Sequence, residues 1–383
     1  MPNLRGPVYT ESILQSLRKV DLSGIFLLEP TQNPFTLIVS EMGKEETKNP
    51  EFKVVEDEYF DRQDRINNGG GYTDHATSVV VDAADKFQVG DVTLVTRTLE
   101  RIYVGAVTLT TQTLSSLTRG FEGSTPAALQ DNDELINLGS ARNENATSRQ
   151  AMITKKTEKT NNTQIISRSI EFSRTQMKSA EFGQNRVDFE RRKIAEEVAR
   201  DIEYAFMFGK KSKTVDATTG EVIRTTGGLL ENITENEADL GGASLEEADF
   251  EAILRDVFQY GSRKKLAIGS PLFNSIISGY SKNKLQTRQG ESTYGIHITD
   301  YTSPHGELSI LEHRMLYGDV FGAWCWILDI ENLKYRYLTD SDVQMNLGIQ
   351  PNDQDGQKDE ILAEVGIEVR HDKTHAFIHD FVV

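Results

Sequence analysis

The chain has 383 residues, of which 37% are hydrophobic and 26% charged, with only 9 Pro; this is the composition of a globular protein with a sizeable core and two or three lobes. A formal net charge of −17 argues against a protein that grips nucleic-acid phosphates. The single cysteine, Cys325 in "AWCWILDI", excludes a disulfide framework and a cysteine metal site. No apolar run has signal or membrane-span length, so a protein made and used in a cytoplasm is expected.

Residues 1–48 read as an extended arm with short structured pieces. "TESILQSLRKV" has the pattern of two helical turns, and the chain is then interrupted at Pro30 and Pro34. Ile25, Phe26, Leu27, Leu28, Phe35, Leu37 and Val39 need apolar cover that so open a segment does not supply. Another part of the fold or another subunit has to provide it. From "NPEFKVVEDEYF" the pattern turns to strand alternation. Gly69–Gly71 follow and read as a flexible tip and not as a phosphate loop, since the Gly-Lys-Ser/Thr ending and a following helix are absent.

Residues 77–141 form short β-branched runs divided by Gly and Asp turns, the pattern of a small β-barrel or β-sandwich module. "TKKTEKTNNTQIISRSIEFSRTQM" then reads as a long strand in which Ile165, Ile166, Ile170 and Phe172 sit among polar residues. The strands before and after the module are expected to pair as one long hairpin.

"RVDFERRKIAEEVARDIEYAFMFG", residues 186–209, predicts a helix of about 35 Å at about 1.5 Å rise per residue. Val187, Ile194, Val198, Ile202 and Phe206 mark one apolar face, Asn185 is the expected cap and Gly209 the stop. Two roles fit it: a solvated helix lying on its own sheet, or a strut whose charged flanks meet neighbouring copies. Residues 244–338 alternate helix and strand as a compact α/β lobe. Its helices are expected to start at a capping box (Ser244, Glu247) and at Ser270–Pro271, and its strands include "KKLAIG", "GELSILEH", "RMLYGD" and "AWCWILDI". The final segment, "EVGIEVRHDKTHAFIHDFVV", is again β.

Signs of chemistry fail on inspection. His371, His375 and His379 fall in a strand-like pattern, where residues four apart are about 13 Å apart, too far to share one ion. The loop "PNDQDGQKDE", with Gly356 at the sixth position, puts Leu362 where a calcium hand needs Glu. No nucleophile elbow or dinucleotide fingerprint is present. An enzyme is not expected, nor any cofactor.

The order of parts (arm, long hairpin, charged helix, α/β lobe, returning strand) resembles the major capsid proteins of tailed bacteriophages, the HK97-like fold, and specifically the SU10-type major capsid protein family. "FQVGDV", "LTRGFEGSTPAAL" and "LINLGSARNENA" resemble its inserted β-module, and "NNTQIISRSIEFSRTQ" the return strand. "EEVARDIEYAFMFGKK" with "TTGGLL" resembles the spine helix and the turn after it. "YGIHITDYTSPHGELSILEHRML" and "DEILAEVGIEVRHDKTHAFIHDF" resemble the axial strands and the C-terminal strand. The resemblance implies an α+β fold with an N-terminal arm (1–48), an extended loop (49–180) carrying the β-module, a peripheral domain with the spine helix (181–243), an axial domain (244–338) and a C-terminal return to the peripheral domain (339–383).

It implies a virion shell protein, assembled in the bacterial cytoplasm from hexamers and pentamers around double-stranded DNA, without a membrane and without sequence-specific DNA contacts. Phe26, Leu28, Phe35, Leu37, Ile165 and Ile166 are then the expected subunit-interface residues. Scaffolding, portal and decoration proteins are further partners to expect. Because the arm begins almost at Met1, a separate scaffolding protein, or none, is implied. An encapsulin-type compartment shell and a phage tail or host-binding protein stay open as alternatives.

Overall fold

The computed structural model describes residues 34–144, 146–179, 186–284, 288–289 and 298–382. By compactness the chain divides into two units, Val55–Glu158 and the remainder.

In the larger unit, in chain order, come helix α1 (Pro34–Met42), strands β1 (Lys44–Thr47), β2 (Glu51–Glu56), β3 (Thr157–Asn162) and β4 (Gln164–Ser173), and helix α2 (Arg186–Phe208). They are followed by the hairpin β5 (Ser212–Val215) and β6 (Val222–Thr225), strand β7 (Glu237–Asp239), helix α3 (Glu247–Val257), strand β8 (Lys264–Gly269) and helix α4 (Pro271–Lys284). The unit closes with β9 (Ile298–Thr302), β10 (Glu307–Glu312), β11 (Trp324–Leu328), β12 (Leu333–Leu338), β13 (Gln344–Asn346), β14 (Gly356–Val369) and β15 (Ala376–His379). The ends of β2 and β3 carry the chain across the boundary between units, and the two strands pair with each other.

One sheet has the order β1-β12-β14-β4, with β13 also on β14. Its longest pairing, between β14 and the edge strand β4, is a ten-residue antiparallel ladder from Gln164↔Val365 to Ser173↔Gly356. Helix α2 covers this sheet with the predicted stripe: Ile194, Val198, Ile202 and Phe206 are buried in one core with Ile166, Ile361, Ala363, Val365 and Ile367. The helix stops at Gly209 because the next turn closes on it. A Cβ there would lie 2.2 Å from the Ala205 carbonyl oxygen and 2.6 Å from that of Thr226. The Gly228 N–H donates to the Gly209 carbonyl at 2.8 Å, so "TTGGLL" is the bend that locks the end of the helix.

The second sheet has the order β7-β15-β11-β8-β10-β9, extended by Arg288–Gln289. Alternate residues of its central strands face two cores. Ala267, Cys325, Ile327, Ala376 and Ile378 pack with Phe250, Leu254 and Val257 of α3 and Phe273 and Ile277 of α4. Leu266, Ile268, Trp326, Leu328 and Phe377 face the core shared with α2. Burial on both faces explains why these strands read as near-continuous apolar runs. Helix α4 starts as expected, with the Phe273 N–H donating to Ser270 Oγ at 3.1 Å.

Several expectations are corrected. Residues 34–42 are not extended. Pro34 opens a helix, as its fixed φ allows at a first helical position, and the spacing of Phe35 and Val39 is a helical one. Helix α3 starts at Glu247 without a side-chain cap, because Ser244 instead bridges Val382. "RMLYGD" is a turn followed by the short helix Gly318–Phe321, with Leu316 buried in the core that also holds the α2 stripe. Strand β14 belongs to the first sheet and β15 to the second, so the C-terminal segment serves both. The expected "TESILQSLRKV" helix and the Asn185 cap lie outside the described residues.

The smaller unit is two antiparallel sheets on one core. The strands are ordered Gln63–Arg65, Glu134–Ser140, Asp91–Val95, Arg101–Tyr103 in one sheet and Ser78–Val80, Thr113–Ser115, Ala106–Thr108 in the other. Ile66, Val79, Phe87, Val95, Ile102, Leu114, Leu129 and Leu135 fill the space between them. The unit therefore starts before the expected 77 and runs past 141, because Ile66 and the half-buried Tyr72 belong to its core.

Two buried carboxylates fix its loops. Glu100 takes a two-pronged bond from Arg119 (both 2.7 Å) and the N–H groups of Gly120 and Ala127, both at 3.1 Å. Asp133 is held by Arg97. Burial on its own would raise the Glu100 pKa, but the Arg119 and backbone donors outweigh it and hold the carboxyl below its usual range. The Arg97 hydrogen bond does the same for Asp133. A carboxyl with a depressed folded-state pKa gives stability that is complete above its unfolded value, about 4, and is lost as pH falls through the folded value. We expect the melting of this unit to fall steeply below about pH 4, and Glu100→Gln to lower it at neutral pH while flattening the acid limb. Calorimetry of the whole protein between about pH 3 and about pH 6 checks this. An unchanged acid limb in the variant would contradict it.

Candidate assembly surfaces

The long helix is tied to its own sheet by charge as well as by its apolar stripe. Arg191 pairs with the buried Asp359 of β14 at 2.6 Å, and Arg168 of β4 pairs with Glu197 (2.6 Å) and Asp201 (2.7 Å). Burial would raise the Asp359 pKa. The Gly348 N–H and Arg191 overcome that and hold it low.

The deepest anchor is Glu203, which is fully buried. Its carboxylate accepts the Phe35 N–H at 3.0 Å, the Thr36 N–H at 2.7 Å and the Thr36 hydroxyl, all at the first turn of α1. His313, also fully buried, donates from Nε2 to Glu203 at 2.7 Å, while its Nδ1 accepts the Met315 N–H at 3.3 Å. That pattern sets the Nε2–H tautomer. One side chain on α2 thus satisfies the open N–H groups at the start of α1 and clamps the loop after β10.

The six expected interface residues separate. Phe26, Leu28 and the side chain of Leu37 lie outside the described residues. Phe35 is fully buried in the chain's own core beneath α2, and Ile166 is buried there too. These two are core residues of the subunit, because α1 folds back on α2 and because Ile166 shares the helix-facing side of the sheet with its partner Ala363. Ile165 points the other way and is 60% exposed, available to another chain.

Other apolar side chains left outside were missed in sequence. Tyr59 is fully exposed and Ile153 nearly so in the smaller unit. In the larger unit, Tyr317, Val320 and Phe321 project on and before the short helix at 318–321, where the Phe321 ring lies tilted against Phe208 (centroids 4.9 Å apart) and edge-on to Trp324 (5.1 Å). Val343, Met345, Leu347 and Ile349 are all exposed. Their every-second-residue spacing in "VQMNLGI" was the available signal.

Groups with catalytic potential are tied into the fold. Lys265 is buried and donates to the carbonyls of Thr374 (2.6 Å) and Tyr260 (3.0 Å), and burial pushes its pKa down to about 8. His375 is buried between the Asp329 N–H and the Arg370 carbonyl, and burial pushes it down to about 4. His371 and His375 flank a short 3-10 turn and only His379 is in a strand. Among the described residues no cluster of His, Cys, Asp and Glu has the arrangement of a metal site.

The model of the SU10 major capsid protein family matches residues 9–381. The chain belongs to that family. Its fold is HK97-like. A chain from the capsid of the native GTA particle aligns over 100% of both chains at 10% identity with a TM-score of 0.52. A chain of Microbacterium phage Oxtober96 aligns over 99% of this chain and 100% of that one, at 12% identity and a TM-score of 0.50. The SrpI encapsulin of Synechococcus elongatus PCC 7942 covers 60% of this chain and 78% of its own, at 9% identity and a TM-score of 0.45, too remote to bear on function. No curated protein sequence matches. As an SU10-type major capsid protein, the chain is a structural subunit of a tailed-bacteriophage virion, working in many copies as an icosahedral shell.

Proposed function

We propose that the subunits assemble as hexamers and pentamers in the host cytoplasm and close around the DNA genome, with no catalytic role. In this reading residues 1–48 form the arm and 49–180 the extended loop that carries the β-module. The spine helix and the sheet beneath it make the peripheral domain, and the two-faced sheet with α3 and α4 the axial one. Scaffolding, portal and decoration proteins would meet surfaces of the assembled shell.

The observation that carries the reading is the set of apolar side chains that the subunit leaves uncovered, Ile165, Tyr59, Ile153, Tyr317 and Val320 among them. Each regains about 1.5–3 kcal/mol when another copy buries it. Ile165→Asp is therefore expected to leave the subunit's melting temperature unchanged and to weaken association roughly tenfold or more per contact. Light scattering of the purified variant beside the parent protein checks this. Full particle yield from the variant would remove Ile165 from the interface.

A further inference from the structure

We propose that strand β13 is a two-fold contact between copies: it pairs antiparallel with β13 of a second copy about Met345, and so joins one ring of subunits to the next. This rests on the shell reading above.

Strand β13 pairs with β14 on one side and, among the described residues, with no strand on the other. The direction of its backbone follows from its neighbours. The Glu364 N–H donates to the Ser341 carbonyl at 2.9 Å and the Ile349 N–H to the Lys358 carbonyl at 2.8 Å, so even-numbered residues of β14 turn their backbone towards β13. Leu362 and Glu360 therefore exchange bonds with Gln344 and Asn346, and the Met345 N–H and carbonyl turn outward to the open edge. Free edges are usually blunted by charge, yet residues 343–352 carry none in a chain that is 26% charged. Val343, Met345 and Leu347 are exposed there. Met345 stands opposite Ile361, which is buried in the core beneath α2, so it continues the helix-bearing face of the sheet beyond the helix.

The fitting occupant is a second copy, because this stretch is complementary to itself. In an antiparallel pair centred on Met345, its N–H and carbonyl bond those of the second Met345. Val343 then falls opposite Leu347 and Gln344 opposite Asn346, so that apolar meets apolar and amide meets amide. Antiparallel pairing at an edge relates the copies by a two-fold axis perpendicular to the sheet, which keeps both α2 helices on one side of the joined sheet. A shell wall needs that, since every subunit has to turn the same face inward. The contact is isologous, whereas contacts around a ring of five or six are heterologous, so it lies between rings.

The test places cysteines in the full-length protein, whose own Cys325 is buried. In mildly oxidised shells Met345→Cys is expected to run mostly as a reducible dimer, because the paired Cα atoms lie about 5.5 Å apart, within disulfide reach. Val343→Cys is expected to stay monomeric, since its own counterpart lies four residues along the strand, about 13 Å away. Met345→Pro removes the outward N–H and leaves the β14 ladder intact, so it is expected to keep the subunit melt and cut shell yield about tenfold or more. Shells in which Met345→Cys stays monomeric, or links no better than Val343→Cys, overturn the contact and leave the shell reading standing. Lost shells from Met345→Pro beside an unlinked Met345→Cys also overturn it, and assign the edge to a different protein. Full shell yield from a normally melting Met345→Pro does the same to the contact; if the proline lowers the melt, the two cysteine variants decide. A parent protein that forms no shell removes the reading and this contact together.

Discussion

Glu203→Ala is expected to be among the most damaging single substitutions in the subunit, costing about 3–5 kcal/mol, because it removes one partner of a fully buried, hydrogen-bonded charge cluster. The Phe35 and Thr36 N–H groups, the Thr36 hydroxyl and His313 Nε2 would all lose their acceptor at once. Glu203→Gln keeps an acceptor oxygen but brings an NH₂ group among donors, so it is expected to recover only part of the loss. Chemical denaturation of the isolated subunit gives both values. A loss under about 1 kcal/mol for the Ala variant would show that α1 is not held by this carboxylate.

Phe35→Asp should be comparably severe. It strips a fully buried ring from the core beneath α2 and leaves a carboxylate there beside Glu203, costing at least about 4 kcal/mol. From the sequence, Phe35 falls in an arm whose apolar residues are expected to serve a neighbour, and on that expectation such a change spares the subunit's melt. The structure reverses the expectation: the isolated subunit itself should unfold or melt far lower. A normal melt with lost assembly would instead return Phe35 to the interface. Phe35 and Glu203 meet at the same turn, so the double variant should cost less than the sum of the two.

The legible parts of this chain were those whose signal is local. The stripe from Ile194 to Phe206 needs only helical periodicity to be read, and Gly209 and Ser270 act within one turn of where they stand. The β-module announced itself by its turn rhythm. Its edges did not, because Ile66 joins its core from an isolated bridge just past the strand Gln63–Arg65, with no apolar neighbours in sequence. Glu203 could not be singled out among 59 Asp and Glu residues, since what distinguishes it is an α1 that lies 167 positions away in sequence. Ile165 and Ile166 looked equivalent in "QIISRS" until pairing with β14 sent them to opposite faces. The outward turn of the Met345 backbone is likewise visible only once the register of β13 on β14 is set.

The most direct test of the central claim is electron microscopy of the purified full-length protein under assembling conditions, with a scaffolding partner supplied if one is required. A shell subunit of this family predicts closed particles with icosahedral symmetry, built from rings of six and five copies. Open tubes or isolated rings, or a protein that stays monomeric at high concentration in every condition, would contradict it.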